Sequence, residues 1–318
     1  MPSWGDVLVE LQHEVALHQV LAQTAVSTIR HKYLKELHTF TKRNVIAYYS
    51  GWLSKTAIAA SSINDEDKNG FMMAVHKLDR SKGLDLILHT PGGSIYATQS
   101  IVYYLRKMFG NDIRAIVPQI AMSAGTMIAC SCKQIIMGKH SNLGPIDPHV
   151  NGMPAYGVIS EFKKAYEEIS KNPGRIAVWS PIISQYAPSF LGQCKNAIAQ
   201  SNTFVTEQLT DIMFGTHTGV GRGEAKRKAK SIVKALSDFS KNKTHSRHIH
   251  FDELEKLGLD IKPIEHCANL YGETDDSKFQ DLVLTVHHCY MHTLMNSPAY
   301  KIVENHLGAA MIKNQMNP

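Results

Sequence analysis

The sequence predicts an α/β domain whose core is built of parallel βα units, with a helical arm before it and helical segments after it. Three observations lead there. Between residues 44 and 139 short apolar runs alternate four times with helix-like patterns, the arrangement that βαβ units produce. A glycine turn, His89-Thr-Pro-Gly-Gly-Ser94, follows the second of those runs, at the strand end where open α/β sheets gather ligands. Hydrophobic residues make up 43% and charged residues 19% of the 318, ordinary globular usage that supports one large core and excludes a disordered or fibrous chain.

In chain order, Val7, Leu8, Leu11, Val15, Leu17, Leu21, Leu34 and Leu37 recur at helical spacing, which marks residues 1–43 as an amphipathic arm that must bury its stripe on its own domain or on a partner subunit. Asn44–Ser50 reads as a buried strand, and Asn64-Asp-Glu-Asp-Lys68 caps a helix running to about Leu78. Strands follow at Leu84–His89, Ile113–Val117 and Gln134–Lys139, with helices at Ser94–Met108 and Ser123–Ser131. After a loop over 140–157, helices are expected at Val158–Ser170, Gln185–Met213, Arg222–Phe239 and Asp252–Leu257, and the tail Asp276–Leu307 is again helical in period. The division is an arm over 1–43, a main domain over 44–275 and a helical tail over 276–318.

Several function classes fall away on composition. No apolar run approaches the roughly 18 to 20 residues of a membrane-spanning helix, and the N-terminal residues resemble no secretory signal, so a cytoplasmic protein without an integral membrane segment is expected. Five cysteines at 130, 132, 194, 267 and 289 match neither a disulfide framework nor a zinc spacing and read as reduced thiols. The net charge of +6 is modest. Its basic excess lies in Arg222–Lys234 without interleaved aromatic residues, a pattern of a solvated helix face rather than a nucleic-acid site.

Two turns carry the chemistry. Gly92 and Gly93 free the backbone to aim amide N–H groups at a helix mouth, a cradle for an anion or oxyanion. The turn lacks the Gly-Lys-Ser/Thr ending of a phosphate loop and the full dinucleotide fingerprint. One βα unit later Ser123, in Ala121-Met-Ser-Ala-Gly-Thr126, stands where a strand hands over to a helix. It is either a capping serine or a nucleophile exposed at a helix N-terminus, and acyl transfer would need both turns together.

These blocks match a family. Leu84-Asp-Leu-Ile-Leu-His-Thr-Pro-Gly-Gly-Ser94, then Ala121-Met-Ser-Ala-Gly-Thr126, then Ser141-Asn-Leu-Gly-Pro-Ile-Asp-Pro148 resemble, in order and spacing, the serine dehydrogenase proteinase family of the Clp and signal-peptide-peptidase clan. Thr244-His-Ser-Arg-His-Ile249 resembles its later histidine-containing turn. The resemblance implies a Clp/crotonase-like superhelix of βα units, serine peptidase activity on peptide or protein substrates, closed homo-oligomers and no cofactor. It places the nucleophile on Ser123 and the oxyanion donors on Gly92 or Gly93 with Ala124.

For the general base, His149, His245 and His248 compete. Asp147, held between Ile146 and Pro148, is suited to orient an imidazole. His149 is expected to point away from Asp147 on so stiff a loop, and His248 falls where the family has proline, so the base is placed on His245. His245, His248 and His250 do not form a zincin pattern, and no metal site is expected. The alternatives are a crotonase-type acyl-CoA enzyme, which would use the glycine amides alone, and a catalytically inactive assembly subunit.

Overall fold

The computed structural model describes residues 4–18, 22–215, 218–238, 242 and 244–315. Leu21 and Phe239, and the side chains of Val15 and Leu17, lie outside the described residues. Helices α1 (Trp4–His18) and α2 (Ala22–Thr41) form the arm. The main sheet then takes β1 (Asn44–Ser50), β2 (Leu84–His89), β3 (Ile113–Val117) and β5 (Gln134–Met137), with α3 (Asp67–Val75), α4 (Ile95–Phe109) and α5 (Ala124–Cys130) between them and the two-residue β4 (Ile120–Ala121) before α5. Its order is β10-β5-β3-β2-β1-β11-β12, where β10 is Ile261–Pro263, β11 Ala299–Asn305 and β12 Ala310–Asn314. From β10 to β1 every pairing is parallel, and β11 and β12 add an antiparallel edge.

Both faces of this sheet are covered, which is why its strands read as unbroken apolar runs. Along β1, Ile46 and Tyr48 enter one core while Val45, Ala47 and Tyr49 enter the other, the period of two that a strand imposes. The first core holds α3, α4 and α5 together with α8 (Phe190–Gln208), α9 (Arg222–Ser237) and α10 (Phe251–Leu257). The second holds the arm and α11 (Asp276–Asn296).

Four residues of the arm's stripe are spent inside its own chain, while Leu8 stays exposed. Val7, Leu11, Leu34 and Leu37 are buried in the second core, so no partner subunit is needed to cover them. Arg30 of α2, 1% exposed, pairs with Glu304 of β11, and the Tyr290 hydroxyl donates to the same carboxylate at 2.8 Å. Arm, tail and sheet thus share one buried ionic contact.

The tail corrects the helical expectation beyond residue 296. Helix α11 ends before Pro298, whose fixed φ and missing N–H suit a helix stop, and Tyr300–Val303, rich in β-formers, pairs with β1 from Tyr48↔Val303 to Ser50↔Lys301. Three smaller differences accompany it. The helix expected over 185–213 is α8 continued by a π-turn at Leu209–Met213, α7 (Ile176–Ile183) forms despite Pro181 within it, and α6 (Ala155–Lys171) begins inside the expected loop. On α9 the lysines are exposed while Ala225, Ala229 and Ile232 are buried, the solvated basic face read from the sequence. Among the described residues no helix is long and apolar enough to cross a membrane.

Candidate active site

A sheet of two-residue strands assembles the site. β4 pairs in parallel with β6 (Asn142–Leu143), and β6 pairs antiparallel with β9 (Ile249–His250). Ser123 follows β4, Asp147 follows β6 and His245 precedes β9, so three short strands bring distant positions to one edge. Thr126 stitches the first two, its hydroxyl donating to the Ala121 carbonyl at 2.9 Å and accepting from the Gly144 N–H at 3.0 Å.

Ser123 occupies φ 51°, ψ −114°, and its side chain makes no capping hydrogen bond to α5. The capping reading of this serine is thereby removed. A non-glycine residue at positive φ is strained by roughly 1–3 kcal/mol, and such strain persists where the surroundings enforce it. Here they do. The Met122 N–H donates to the Thr90 carbonyl at 2.9 Å and the Gly125 N–H to the Met122 carbonyl at 2.7 Å, and a Cβ on Gly125 would meet Thr90 Cγ2 at 2.5 Å. The chain turns sharply at Ser123 because both flanks are fixed, as in the strained strand-to-helix elbows that expose a nucleophile.

The glycine turn packs on that elbow. Gly92, at φ +93°, would place a Cβ 2.7 Å from Ser123 Cβ and 2.9 Å from the Ala124 nitrogen. Its N–H donates to Thr90 Oγ1 at 3.2 Å. Among the described residues the N–H groups of Gly93 and Ala124 donate to nothing in the chain, which leaves those two open toward a ligand. Gly93 is held from behind by Ile63, whose N–H donates to the Gly92 carbonyl at 2.7 Å and whose carbonyl accepts from Ser94 at 2.9 Å.

His245 Nδ1 lies 2.9 Å from Asp147 Oδ1, with the two side chains 28% and 2% exposed. A carboxylate only accepts, so Nδ1 carries the proton and Nε2 is the accepting nitrogen. The second oxygen, Asp147 Oδ2, is buried with no partner among the described residues. His149 does not point away as expected. It stands in β7 (His149–Val150), which the Asn151-Gly152 turn folds onto β8 (Met153–Pro154), and extended residues two apart share a face. Its ring lies edge-to-face against His245 at 4.3 Å between centroids. Burial, and after it the neighbouring His245, push its imidazole below the ordinary 6.5. His248 is exposed and stands outside the cleft.

Gly92, Gly93, Ser123, His149 and His245 line one cleft of about 740 Å³. Its far wall is a stripe of α8, with Gln193, Asn196, Ala197 and Gln200 at helical spacing, which sequence reading overlooked although the polar i, i+3, i+7 pattern was visible.

Two relatives come from Methanocaldococcus jannaschii, both uncharacterized proteins. One is 33% identical over 199 residues, which are 63% of this chain and 60% of that protein. The other is 29% identical over 199 residues, 63% of this chain and 59% of that protein. The chain thus spans about three fifths of the length of the curated relatives it matches. The model of the ClpP-like SDH-type serine proteinase family matches residues 15–271, and the chain belongs to that family.

Proposed function

We propose that the chain hydrolyses peptide bonds with Ser123 as nucleophile, on a Clp/crotonase-type stack of βα units. The observation that carries the reading is the Asp147–His245 pair, whose imidazole lines the same cleft as the strained Ser123. Ser123 Oγ attacks the scissile carbonyl carbon as its proton passes to His245 Nε2, and the imidazolium is held by Asp147 through Nδ1. The developing oxyanion accepts from the Gly93 and Ala124 N–H groups, with Gly92 shaping the turn. His245 then delivers the proton to the leaving amine, and a water hydrolyses the acyl-enzyme in a second passage through the same groups. No cofactor enters the scheme.

An acyl-CoA enzyme would need the amide donors alone, and an inactive assembly subunit would need neither; the strained serine and the carboxylate–imidazole pair are surplus to both. Cytoplasmic residence and a closed homo-oligomer belong to this reading. The exposed Ile176, Val178 and Ile182 of α7, and Leu8 and Val9 of the arm, are apolar surface that a second copy would cover.

Fluorophosphonate labelling tests it. The native protein should be labelled at Ser123, Ser123→Ala should not, and His245→Ala should be slowed by about 10⁶-fold, as loss of the triad histidine slows another serine peptidase. His149→Gln should lose far less than His245→Ala. If His149→Gln is the inert variant and His245→Ala reacts, the base is His149. A native protein that never labels removes the peptidase reading.

A further inference from the structure

The proton relay uses one imidazole and one carboxylate oxygen, yet two imidazoles line the cleft and a second carboxylate oxygen behind them has no partner among the described residues. Asp147, His149 and His245 each offer a donor atom, and the three atoms lie within 4.8 Å of one another. Among the described residues Asp147 Oδ2 is buried without a partner, on a side chain 2% exposed. His149 sits partly exposed at the start of a two-residue hairpin strand, its ring edge-to-face against His245.

We propose that Asp147, His149 and His245 form a binding site for a zinc-class divalent cation, and that occupancy silences the peptidase. The second half rests on the function proposed above; the first does not.

The donor set selects the ion. Two imidazoles and one carboxylate, with a fourth position open to water, suit zinc and its neighbours, which bind at about 2.0–2.2 Å in tetrahedral geometry. Magnesium and calcium require oxygen-rich shells and are excluded by the two nitrogens. Donors on such a tetrahedron stand about 3.4 Å apart, so the present separations close by side-chain rotation of His149 without moving β6 or β9. The consequence for catalysis follows from which groups are taken. A cation on His245 and Asp147 claims the lone pair that would accept the Ser123 proton, or the carboxylate that orients it. His149, which has no part in the relay, is then the residue that makes a catalytic pair into a metal site.

The test separates the two halves. The Ser123→Ala protein is titrated with zinc chloride against a chromophoric chelator, so no catalysis is required. We expect saturable 1:1 binding, weakened at least about tenfold by adding His149→Gln, since even outer-shell partners of a metal contribute that much. His149→Cys, which keeps a soft donor, should restore binding, and His248→Gln should leave it unchanged. Equal zinc affinity with and without His149→Gln, or no saturable binding, overturns the site. In the wild type, zinc at the same concentrations should block fluorophosphonate labelling, and a chelator should restore it. Labelling that continues or accelerates under saturating zinc overturns the silencing. A protein unlabelled even without zinc refutes the peptidase reading alone, because the titration still decides the site.

Discussion

Gly92 lies so close to Ser123 that a Cβ on the glycine would stand 2.7 Å from the serine Cβ. The glycine turn and the serine turn are therefore one packed unit, and the chemistry of either depends on the backbone of the other. Gly92→Ala should reduce Ser123 labelling by about a hundredfold or more, the scale on which a lost oxyanion donor acts, because the added methyl strikes Ser123 Cβ, the Met122 carbonyl and the Ala124 nitrogen together. Gly93→Val should act alike through Ile63, whose backbone stands 2.4 Å from the position its Cβ would take. Wild-type labelling rates in either variant would refute this coupling.

Ser123 gives a second, opposite signature. A glycine there adopts φ 51°, ψ −114° without the side-chain clash, relieving a strain of roughly 1–3 kcal/mol against about 0.4–1 kcal/mol of added unfolded-chain entropy. Ser123→Gly should thus be inert yet more stable than Ser123→Ala by about 1 kcal/mol, a rise of about 2–4 °C in Tm for a domain of this size. A scanning-calorimetry midpoint for Ser123→Gly at or below that of Ser123→Ala would show that the elbow stores no strain.

Legibility of these features followed the reach of the interactions that create them. Strands β1, β2, β3 and β5 were legible because burial on both faces turns each into an apolar run, and the glycine turn because only glycine suits φ +93° against a neighbouring backbone. The pairing of Asp147 with His245 was not written in any local pattern. It depends on β6 and β9, two residues each, too short to leave a period, and only the family resemblance pointed to it. The Asn151-Gly152 dipeptide was a readable hairpin signal that would have turned His149 into the cleft. Strand β11 was hidden because α11's helical period runs to within two residues of Pro298, so the tail's periodicity seemed continuous.

Acid should destabilise the fold in a window set by buried histidines. Burial pushes the His89 imidazole from its ordinary 6.5 to about 4, and burial together with His38 pushes His306 to about 4. Both are neutral in the folded protein while the unfolded chain takes up protons first, so their contribution is fully present above pH 6.5 and is lost as pH falls toward 4. For His89 the loss is at most about 3 kcal/mol, the equivalent of its shift. Urea midpoints measured from pH 7 to pH 4 should fall through this window, and His89→Gln should flatten the fall. A midpoint constant down to pH 4 would contradict the assignment.

The tail reaches the active site through a buried ion pair. Lys301 of β11 and Asp67 of α3 are 0% exposed and 2.9 Å apart, and the same ammonium donates to the Ser62 carbonyl at 2.7 Å. Ser62 precedes Ile63, the residue that backs Gly93, so a strand near the C-terminus braces the glycine turn. Asp67 has further donors in the Tyr48 hydroxyl at 2.8 Å and the Asn64 N–H at 3.0 Å. Lys301→Met removes the nearer cation and leaves the buried carboxylate with Lys313, 3.8 Å from its Oδ1, as its remaining countercharge, a loss expected at up to about 3–5 kcal/mol. Adding Asp67→Asn removes the stranded charge and should recover a large part of it, because neutral replacement of both partners is tolerated far better than removal of one. Labelling should separate bracing from bulk stability. In the double variant, at a temperature where it is fully folded, Ser123 should still react more slowly than in wild type, because the hold on the Ser62 carbonyl is gone. Wild-type labelling there would confine Lys301 to stability, and an unrecovered loss in the double variant would mean that the pair is worth more than its charges.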